Sequence, residues 1–255
     1  MGYKILFSNI GYAKGIGGTL WEHICRLNRH IYCGLSVQEQ ALRQLKVIID
    51  SEKPDLGCLV EIDQGSFHSA YFNQIQALMD HEYIFHDIAE KYGENSPLRK
   101  MWMHKGKSNA FLAKQEIPFQ RLYFTYGTKR LVYRLTLPGD IHLFFAHFSL
   151  KRQVRIKQFQ EVNTLIKNIK GEVMILADFN IFQGFKELLP LLEGTDLQIL
   201  NKEEEHTFIF HRRKLALDLC ICSESLAKRS ALRIIKQPFS DHAALVVDIA
   251  PALSA

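Results

Sequence analysis

Short apolar runs recur along the whole chain and constrain its fold more strongly than any other feature. Runs of this length, rich in Val, Ile, Leu and Phe, are typical of β-strands, and apolar residues spaced three and four apart are typical of helices. The strands predicted in this way span residues 3–10, 56–62, 109–114, 130–137, 141–150, 172–179, 215–222 and 242–250. The predicted helices span residues 36–52, 68–80 and 154–170. Strands outnumber helices, which favours one or two mixed sheets covered by helices.

The size and charge of the chain are those of a globular protein with a weak preference for anionic partners. The chain has 255 residues, 47% of them hydrophobic, so it can bury a large core. We expect one α/β domain spanning residues 1–255. The 32 basic residues exceed the 27 acidic ones. This excess favours nucleic acid, a phosphorylated small molecule or an acidic membrane surface, and it does not choose among them.

Cysteine spacing and hydropathy indicate a soluble protein in a reducing compartment. The five cysteines follow neither a disulfide nor a zinc-binding pattern. Cys220 and Cys222 alternate along an apolar run, where packed free thiols are expected. We see no secretory leader, and no apolar run approaches the roughly 20 residues that cross a bilayer. We therefore expect a cytoplasmic location.

Two segments lack a regular strand or helix pattern along their whole length. Residues 11–35 begin with glycines and continue as a helix that Thr19 and Glu22 would open as a capping box. Residues 81–108 are rich in His, aromatic and basic side chains. Both segments are candidates for substrate-facing loops. The alternative for 11–35 is a packed amphipathic helix with solvated arginines.

Polar residues stand at or just beyond the ends of several predicted strands. Each of these positions has a simple structural interpretation on its own, such as a turn, a solvated acid or a hydrogen-bonded core histidine. Their joint occurrence indicates a site, because strand ends on one side of a sheet lie close together. In the LADFN sequence at 176–180, the alternation of an extended chain would also put Asp178 and Asn180 on one face. The strand-end residues are Asn9, Glu61, His147, Asp178, Asn180 and the Ser-Asp-His sequence at 240–242.

The same residues give the chain a resemblance to the endonuclease/exonuclease/phosphatase superfamily of metal-dependent phosphoesterases. The superfamily includes deoxyribonucleases, abasic-site endonucleases, inositol polyphosphate 5-phosphatases and neutral sphingomyelinases. The resemblance covers nearly the whole chain through short motifs in the family order. They are FSNIGY at 7–12, PDLGCLVEID at 54–63, SNAFLAKQEIP at 108–118, AHFSL at 146–150, VRIKQFQEV at 154–162, LADFN at 176–180, HTFIFHRRKLALDLCIC at 206–222 and SDHAAL at 240–245. The chain departs from the family at Val60, where Gln is frequent, and at Leu219, where Tyr is usual.

The resemblance implies a four-layer αββα sandwich of two mixed, mostly antiparallel sheets and a magnesium-dependent site at one end of them. Mn²⁺ is an alternative to Mg²⁺, and both prefer oxygen ligands. By resemblance, Glu61 is the primary metal ligand, with Asn9 beside it and Asp241 completing the shell.

The resemblance also assigns roles in phosphoester hydrolysis. Asp178 would be the general base that accepts a proton from water, and Asn180 would donate a hydrogen bond to the phosphoryl group. His242, held by Asp241, and His147 would contact phosphate oxygens. Asp218 would orient a neighbouring group.

The sequence leaves the phosphoester open. A His in AHFSL is more like the phosphatase, sphingomyelinase and deadenylase branches than the abasic-site endonucleases. This lowers a role in DNA repair without excluding a deoxyribonuclease-like or other nuclease activity. Nucleic-acid backbone, an inositol phosphate and an anionic lipid headgroup all remain candidate partners. A function of another class, a non-catalytic anion-binding module on the same fold, is the further alternative.

Overall fold

The computed structural model describes residues 2–93, 96–102 and 104–252, except for the side chains of Arg99 and Lys100. The described strands are β1 (Tyr3–Asn9), β2 (Leu56–Asp63), β3 (Phe85–Glu90), β4 (Lys107–Ala113), β5 (Phe119–Tyr123), β6 (Leu131–Leu137), β7 (Ile141–His147), β8 (Glu172–Asp178), β9 (Leu197–Ile199), β10 (Phe208–Phe210), β11 (Arg213–Leu215), β12 (Asp218–Ser223), β13 (Ser230–Lys236) and β14 (Ala243–Ile249). The described α-helices are α1 (Leu20–Cys25), α2 (Leu35–Glu52), α3 (Arg152–Ile166), α4 (Leu189–Leu192) and α5 (Glu224–Ala227).

The strands form two mixed six-stranded sheets and a two-stranded ribbon. The first sheet has the order β13-β14-β1-β2-β4-β3, and the second has the order β5-β6-β7-β8-β12-β9. In each sheet one pair of neighbours is parallel, β1 with β2 and β7 with β8, while the other pairs are antiparallel. The mixed sheets and their covering helices confirm the predicted sandwich.

The two sheets pack face to face because their strands are apolar on the facing sides. Period-two alternation sends one set of side chains from each strand toward the opposite sheet. The central core contains Phe7, Cys58, Val60, Tyr133, Phe145, Met174, Leu176, Cys220, Cys222, Leu245 and Val247. All five cysteines are free thiols, and the pair on β12 is buried in this core, as its spacing predicts.

The other side chains of the same strands face helices and complete the four layers. Leu45 and Ile49 of α2 pack on Leu6 and Leu59 of the first sheet. On the second sheet, α3 packs Phe159 and its apolar neighbours against a separate cluster. No helix in the described ranges has the length and apolar character needed to cross a membrane.

The prediction of a helix at residues 68–80 is wrong, and polar residues in and before this segment explain why. The Asp63 carboxylate accepts hydrogen bonds from the backbone N–H of Gly65, at 2.8 Å, and Ser66, at 2.6 Å. It also accepts one from the Ser69 hydroxyl at 3.0 Å. Tyr71 adopts a positive φ of 61°. These bonds fold the segment into successive turns, because short polar side chains compete with helical backbone bonds.

Elsewhere the sequence pattern locates most elements and omits the short or exposed ones. The capping box is confirmed, since Thr19 Oγ1 accepts from the backbone N–H of Glu22 at 3.2 Å. The strand predicted at 215–222 is divided, because Thr207 Oγ1 accepts from the N–H of Leu217 and Asp218. Strands β3, β5, β9, β10 and β13 were not predicted.

The packing of α2 on the first sheet gives a paired stability prediction. Leu45 is fully buried, whereas Val47 on the same helix is 67% exposed. Leu45→Ala should lower the free energy of unfolding by about 2–5 kcal/mol, because it leaves a cavity. Val47→Ala should change it by less than about 0.5 kcal/mol. Urea titration measures both, and equal effects would show that α2 does not pack as described.

Candidate active site

The ends of neighbouring strands in both sheets bring the predicted site residues together. In the second sheet, His147 and Asp218 are register partners of Asp178, one on each side. In the first sheet, Asn9 lies opposite Val60, so it ends its strand next to Glu61. The parallel pairs β1–β2 and β7–β8 carry their carboxyl ends to the same end of the sandwich, where the two sheets meet.

Asp178 lies at the centre of this arrangement and is bonded from both sheets. Its Oδ2 accepts from Asn9 Nδ2 of the first sheet at 3.0 Å and lies 3.0 Å from His147 Nε2 of the second. Its Oδ1 accepts from the backbone N–H of Asn180 at 3.2 Å. Burial opposes the charge on this carboxylate, but His147 and His242 outweigh burial and lower the pKa of Asp178. Asp178 is therefore ionised at neutral pH.

A buried acid–histidine pair stands next to Asp178. Asp218 Oδ2 lies 2.7 Å from His242 Nδ1, and His242 Nε2 lies 3.9 Å from Asp178 Oδ2. Burial disfavours charge on the ring, but Asp218 and Asp178 outweigh it and raise the pKa of His242 to about 10. His242 is therefore an imidazolium at neutral pH, stabilised by two carboxylates.

This pair corrects the expected partner of His242. Asp241 was the expected partner of the His242 ring, but Asp218 occupies that position. Adjacent residues in an extended chain point in opposite directions. Asp241 accordingly points toward His23, with its Oδ2 3.9 Å from Nε2 of that ring.

Glu61 sits on an irregular stretch of β2. The β2–β4 register shifts between Leu59 and Ile62, and Glu61 has a positive φ of 55°. A positive φ is unusual for a residue with a Cβ and tends to occur at functional sites. Asn109 Oδ1 accepts from the Glu61 backbone N–H at 3.3 Å, which helps to hold this conformation.

Cationic groups surround the Glu61 carboxylate. Glu61 Oε1 lies 3.6 Å from His147 Nδ1, 3.7 Å from Lys129 Nζ and 4.0 Å from Lys91 Nζ. Burial raises the pKa of Glu61, but Lys129, His147 and Lys91 outweigh it and hold that pKa well below the usual range. Burial lowers the pKa of Lys91 to about 7. Glu61 is therefore an anionic group surrounded by cationic side chains.

Sequence reasoning missed the two lysines. Lys91 follows β3, a strand whose apolar pattern is weak, and its ammonium contacts the Tyr12 hydroxyl. Lys129 lies in the GTKR loop before β6, and it contacts His147. Only the three-dimensional arrangement shows that both reach Glu61.

Asn180 and His147 lie at the site, but their side chains point at protein groups and not toward the expected phosphate position. The strand ends at Asp178 and Asn180 has a positive φ of 53°, so the extended alternation that would align their side chains does not continue. Asn180 Nδ2 donates to the Phe148 carbonyl at 3.0 Å. His147 Nε2 is directed at Asp178, not outward, and burial together with Lys129 lowers the pKa of the His147 ring. His147 therefore positions the Asp178 carboxylate.

The donor set fits a divalent cation. Ligand atoms of Asp178, Asp218 and His242 lie within 4.8 Å of one another, and the two carboxylates would be the ligands because the His242 imidazolium has no free lone pair. The Glu61 carboxylate approaches the same His147 ring as Asp178 does, with its Oε1 3.6 Å from Nδ1. Two buried atoms of the site, Asp218 Oδ1 and His147 Nδ1, have no hydrogen-bond partner among the described residues. Buried polar atoms are nearly always paired, so unpaired ones indicate a missing ligand.

Comparison with solved structures defines the class of fold. The model matches the catalytic domain of human nocturnin with a bound sulfate anion (TM-score 0.62, 16% identity, 98% of this chain and 94% of that one). It matches D. rerio TDP2 complexed with a single-strand DNA product (0.66, 13%, 98% and 99%). It also matches beta toxin from Staphylococcus aureus (0.65, 12%, 96% and 99%).

These matches confirm the resemblance seen in the sequence at the level of fold. The chain has the same α/β sandwich fold as these three proteins over nearly its whole length. No protein-family model matches the chain, and no curated protein matches it either.

The assignment of Asp218 as the partner of His242 can be tested directly. Asp218→Asn removes a negative charge 2.7 Å from the ring, so the pKa of His242 should fall by about one unit or more. NMR titration of the histidine ring protons in EDTA measures this value. Asp241→Asn is the matched control and should cause a smaller decrease. An equal or larger decrease in the pKa of His242 in Asp241→Asn would indicate that Asp241, and not Asp218, is the partner of the ring.

Proposed function

We propose that this protein is a metal-dependent phosphoester hydrolase. The observation that carries the proposal is the convergence of Glu61, Asp178, Asp218 and His242 at one end of the sandwich, with Asp178 bonded from both sheets. An ionised carboxylate beside an imidazolium and two ammonium groups suits a substrate whose negative charge increases during reaction.

A divalent cation, Mg²⁺ or alternatively Mn²⁺, would be held by Glu61 with Asn9 and Asp241 nearby, and would neutralise phosphoryl charge. Asn9 retains acceptor capacity for this role, since its Oδ1 accepts only one bond among the described residues, from Gly11 N–H at 3.1 Å. Lys91 and Lys129 share the Glu61 carboxylate, so metal affinity should be moderate.

The residues of the chain supply positioning and proton transfer. Asp178 accepts the proton of the attacking water as the water oxygen bonds to phosphorus and the ester P–O bond breaks. Asn9 and His147 hold its carboxylate in place. The His242 imidazolium donates to a phosphoryl oxygen through Nε2, because Nδ1 is committed to Asp218. Asn180 Nδ2 already donates to the Phe148 carbonyl, so it has one amide hydrogen left for a phosphoryl oxygen.

A nuclease is the second candidate function. It is supported by the single-strand DNA product bound to the structurally similar D. rerio TDP2. A non-catalytic anion-binding module is the candidate of another class. It would need the cationic groups but no positioned base, and the placement of Asp178 between Asn9 and His147 supports hydrolysis instead.

Asp178→Asn tests the catalytic role of the central carboxylate. The amide keeps the shape and several hydrogen bonds but cannot accept a proton near neutral pH. Turnover of bis(p-nitrophenyl) phosphate should fall by about 10²–10⁴-fold, whereas KM should change much less. Retention of near wild-type turnover with an unchanged melting temperature would make Asp178 a structural residue.

Metal titration tests Glu61 independently of turnover. Glu61→Gln removes the negative charge and should weaken Mg²⁺ binding, measured by isothermal calorimetry without substrate. Lys129→Met removes the ammonium 3.7 Å from Glu61 Oε1. This variant should bind Mg²⁺ more tightly, because one cation that competes for Glu61 is lost. If both variants bind Mg²⁺ as the wild type does, Glu61 is not a ligand.

A further inference from the structure

The segment around α1 exposes the apolar face of a helix to solvent. Leu20, Ile24, Leu27 and Ile31 recur at helical spacing and are 41%, 59%, 66% and 62% exposed, and Trp21 is 74% exposed. No residue of α1 is buried. Such a stripe in a globular protein normally faces the core. The packed amphipathic helix considered from the sequence is therefore not what the structure shows.

Aromatic side chains from two other segments extend this surface. The Phe67 ring lies 5.7 Å from Tyr32, 6.5 Å from Tyr71 and 5.0 Å from Trp102, measured between centroids. Ile31 lines a small cavity together with Phe67 and Trp102, which joins the two parts. We call this surface the apolar rim; it comprises Leu20, Trp21, Ile24, Leu27, Ile31, Tyr32, Phe67, Tyr71, Met101 and Trp102. Exposed apolar patches of this kind mark interaction sites.

The apolar rim borders the candidate active site. His23 of α1 packs on Phe210 with ring centroids 4.8 Å apart, and its Nε2 lies 3.9 Å from Asp241 Oδ2, next to His242. On another side, the Lys107 ammonium lies 5.3 Å from the Tyr12 ring, and Tyr12 contacts Lys91. A large partner that covers the rim would therefore meet the site.

The sequence around the rim is basic. Residues 13–35 and 97–107 contain one acidic residue, Glu22, and seven basic ones: Lys14, Arg26, Arg29, Arg99, Lys100, Lys105 and Lys107. Lys100 belongs to the basic segment at residues 81–108, and the structure does not describe its side chain. A partner that covers this surface should therefore combine apolar and anionic groups.

We propose that the apolar rim docks on an anionic lipid bilayer and that the substrate is the phosphoester of a membrane lipid headgroup. This inference rests on the proposed function of the adjacent site. Trp and Tyr favour the membrane–water interface, aliphatic side chains enter the acyl boundary, and basic residues near the surface are attracted to anionic lipids.

Several features of the rim favour lipid over single-stranded nucleic acid. Nucleic acid binds through aromatic stacking and basic groups that follow the backbone. Aliphatic side chains offer no π-face, yet Leu20, Ile24, Leu27 and Ile31 make up the stripe that runs along α1 and the turn after it. Arg26 and Arg29 are already engaged, since both donate to the Gly15 carbonyl and Arg26 also pairs with Glu22. The rim is therefore a continuous apolar surface. A nucleic-acid groove would instead present free guanidinium groups.

Intrinsic fluorescence provides a direct test, because both tryptophans of the chain belong to the rim. Vesicles of phosphatidylcholine and phosphatidylserine should shift the emission of the wild-type protein to the blue, and phosphatidylcholine alone should do so less. Ile24→Ser/Leu27→Ser keeps both tryptophans and should weaken vesicle binding by about tenfold or more. Val47→Ser/Leu189→Ser, at two positions each 67% exposed outside the rim, is the matched control and should bind as the wild type does.

The outcomes separate docking from catalysis. Loss of lipid headgroup release from vesicles in Ile24→Ser/Leu27→Ser, with unchanged hydrolysis of soluble bis(p-nitrophenyl) phosphate, would support the proposal. Equal vesicle binding or headgroup release in that variant and the wild type would overturn it. A blue shift with a single-stranded oligonucleotide and none with vesicles would also overturn it. If the protein binds vesicles but does not hydrolyse the soluble diester, the docking proposal stands and the proposed function is refuted.

Discussion

The structure depends on one buried carboxylate that both sheets share. Asp178 accepts from Asn9 of the first sheet and lies against His147 of the second, each at 3.0 Å. A buried carboxylate without partners would be costly, so these contacts fix how the two strand ends meet. The packing of two apolar sheet faces is tolerant of small shifts, whereas this polar junction is directional. The same bonds that align the sheets also align the site.

The sequence predicted the architecture well because the central strands are apolar on both faces and end in polar residues. Helices α2 and α3 followed from their amphipathic spacing. The predicted helix at 68–80 was wrong because Asp63 gathers backbone and hydroxyl donors into turns, an effect that apolar periodicity does not register. The exposed strands β5 and β13 lack the apolar runs by which buried strands are recognised.

For the site, the sequence could identify candidate residues but not their contacts. Asn9, Glu61, His147, Asp178, Asp218 and His242 converge, yet the His242 partner is Asp218 from a distant strand and not its neighbour Asp241. Lys91 and Lys129 escaped notice because single lysines in loops carry no pattern. Their ammonium groups reach Glu61 only through the packing of β3 and the loop before β6. The positive charge around Glu61 therefore arises from how the chain folds, and no sequence motif predicts it.

The site and the apolar rim lie at one end of the sandwich, where we propose that an anionic phosphoester binds. The central claim is that the residues around Asp178 hydrolyse such an ester with a divalent metal. The most direct measurement is the steady-state rate of bis(p-nitrophenyl) phosphate hydrolysis by the purified protein with Mg²⁺ and with excess EDTA. The account predicts turnover that EDTA abolishes and added Mg²⁺ or Mn²⁺ restores. Absence of turnover with either metal, or a rate unaffected by EDTA, would contradict it.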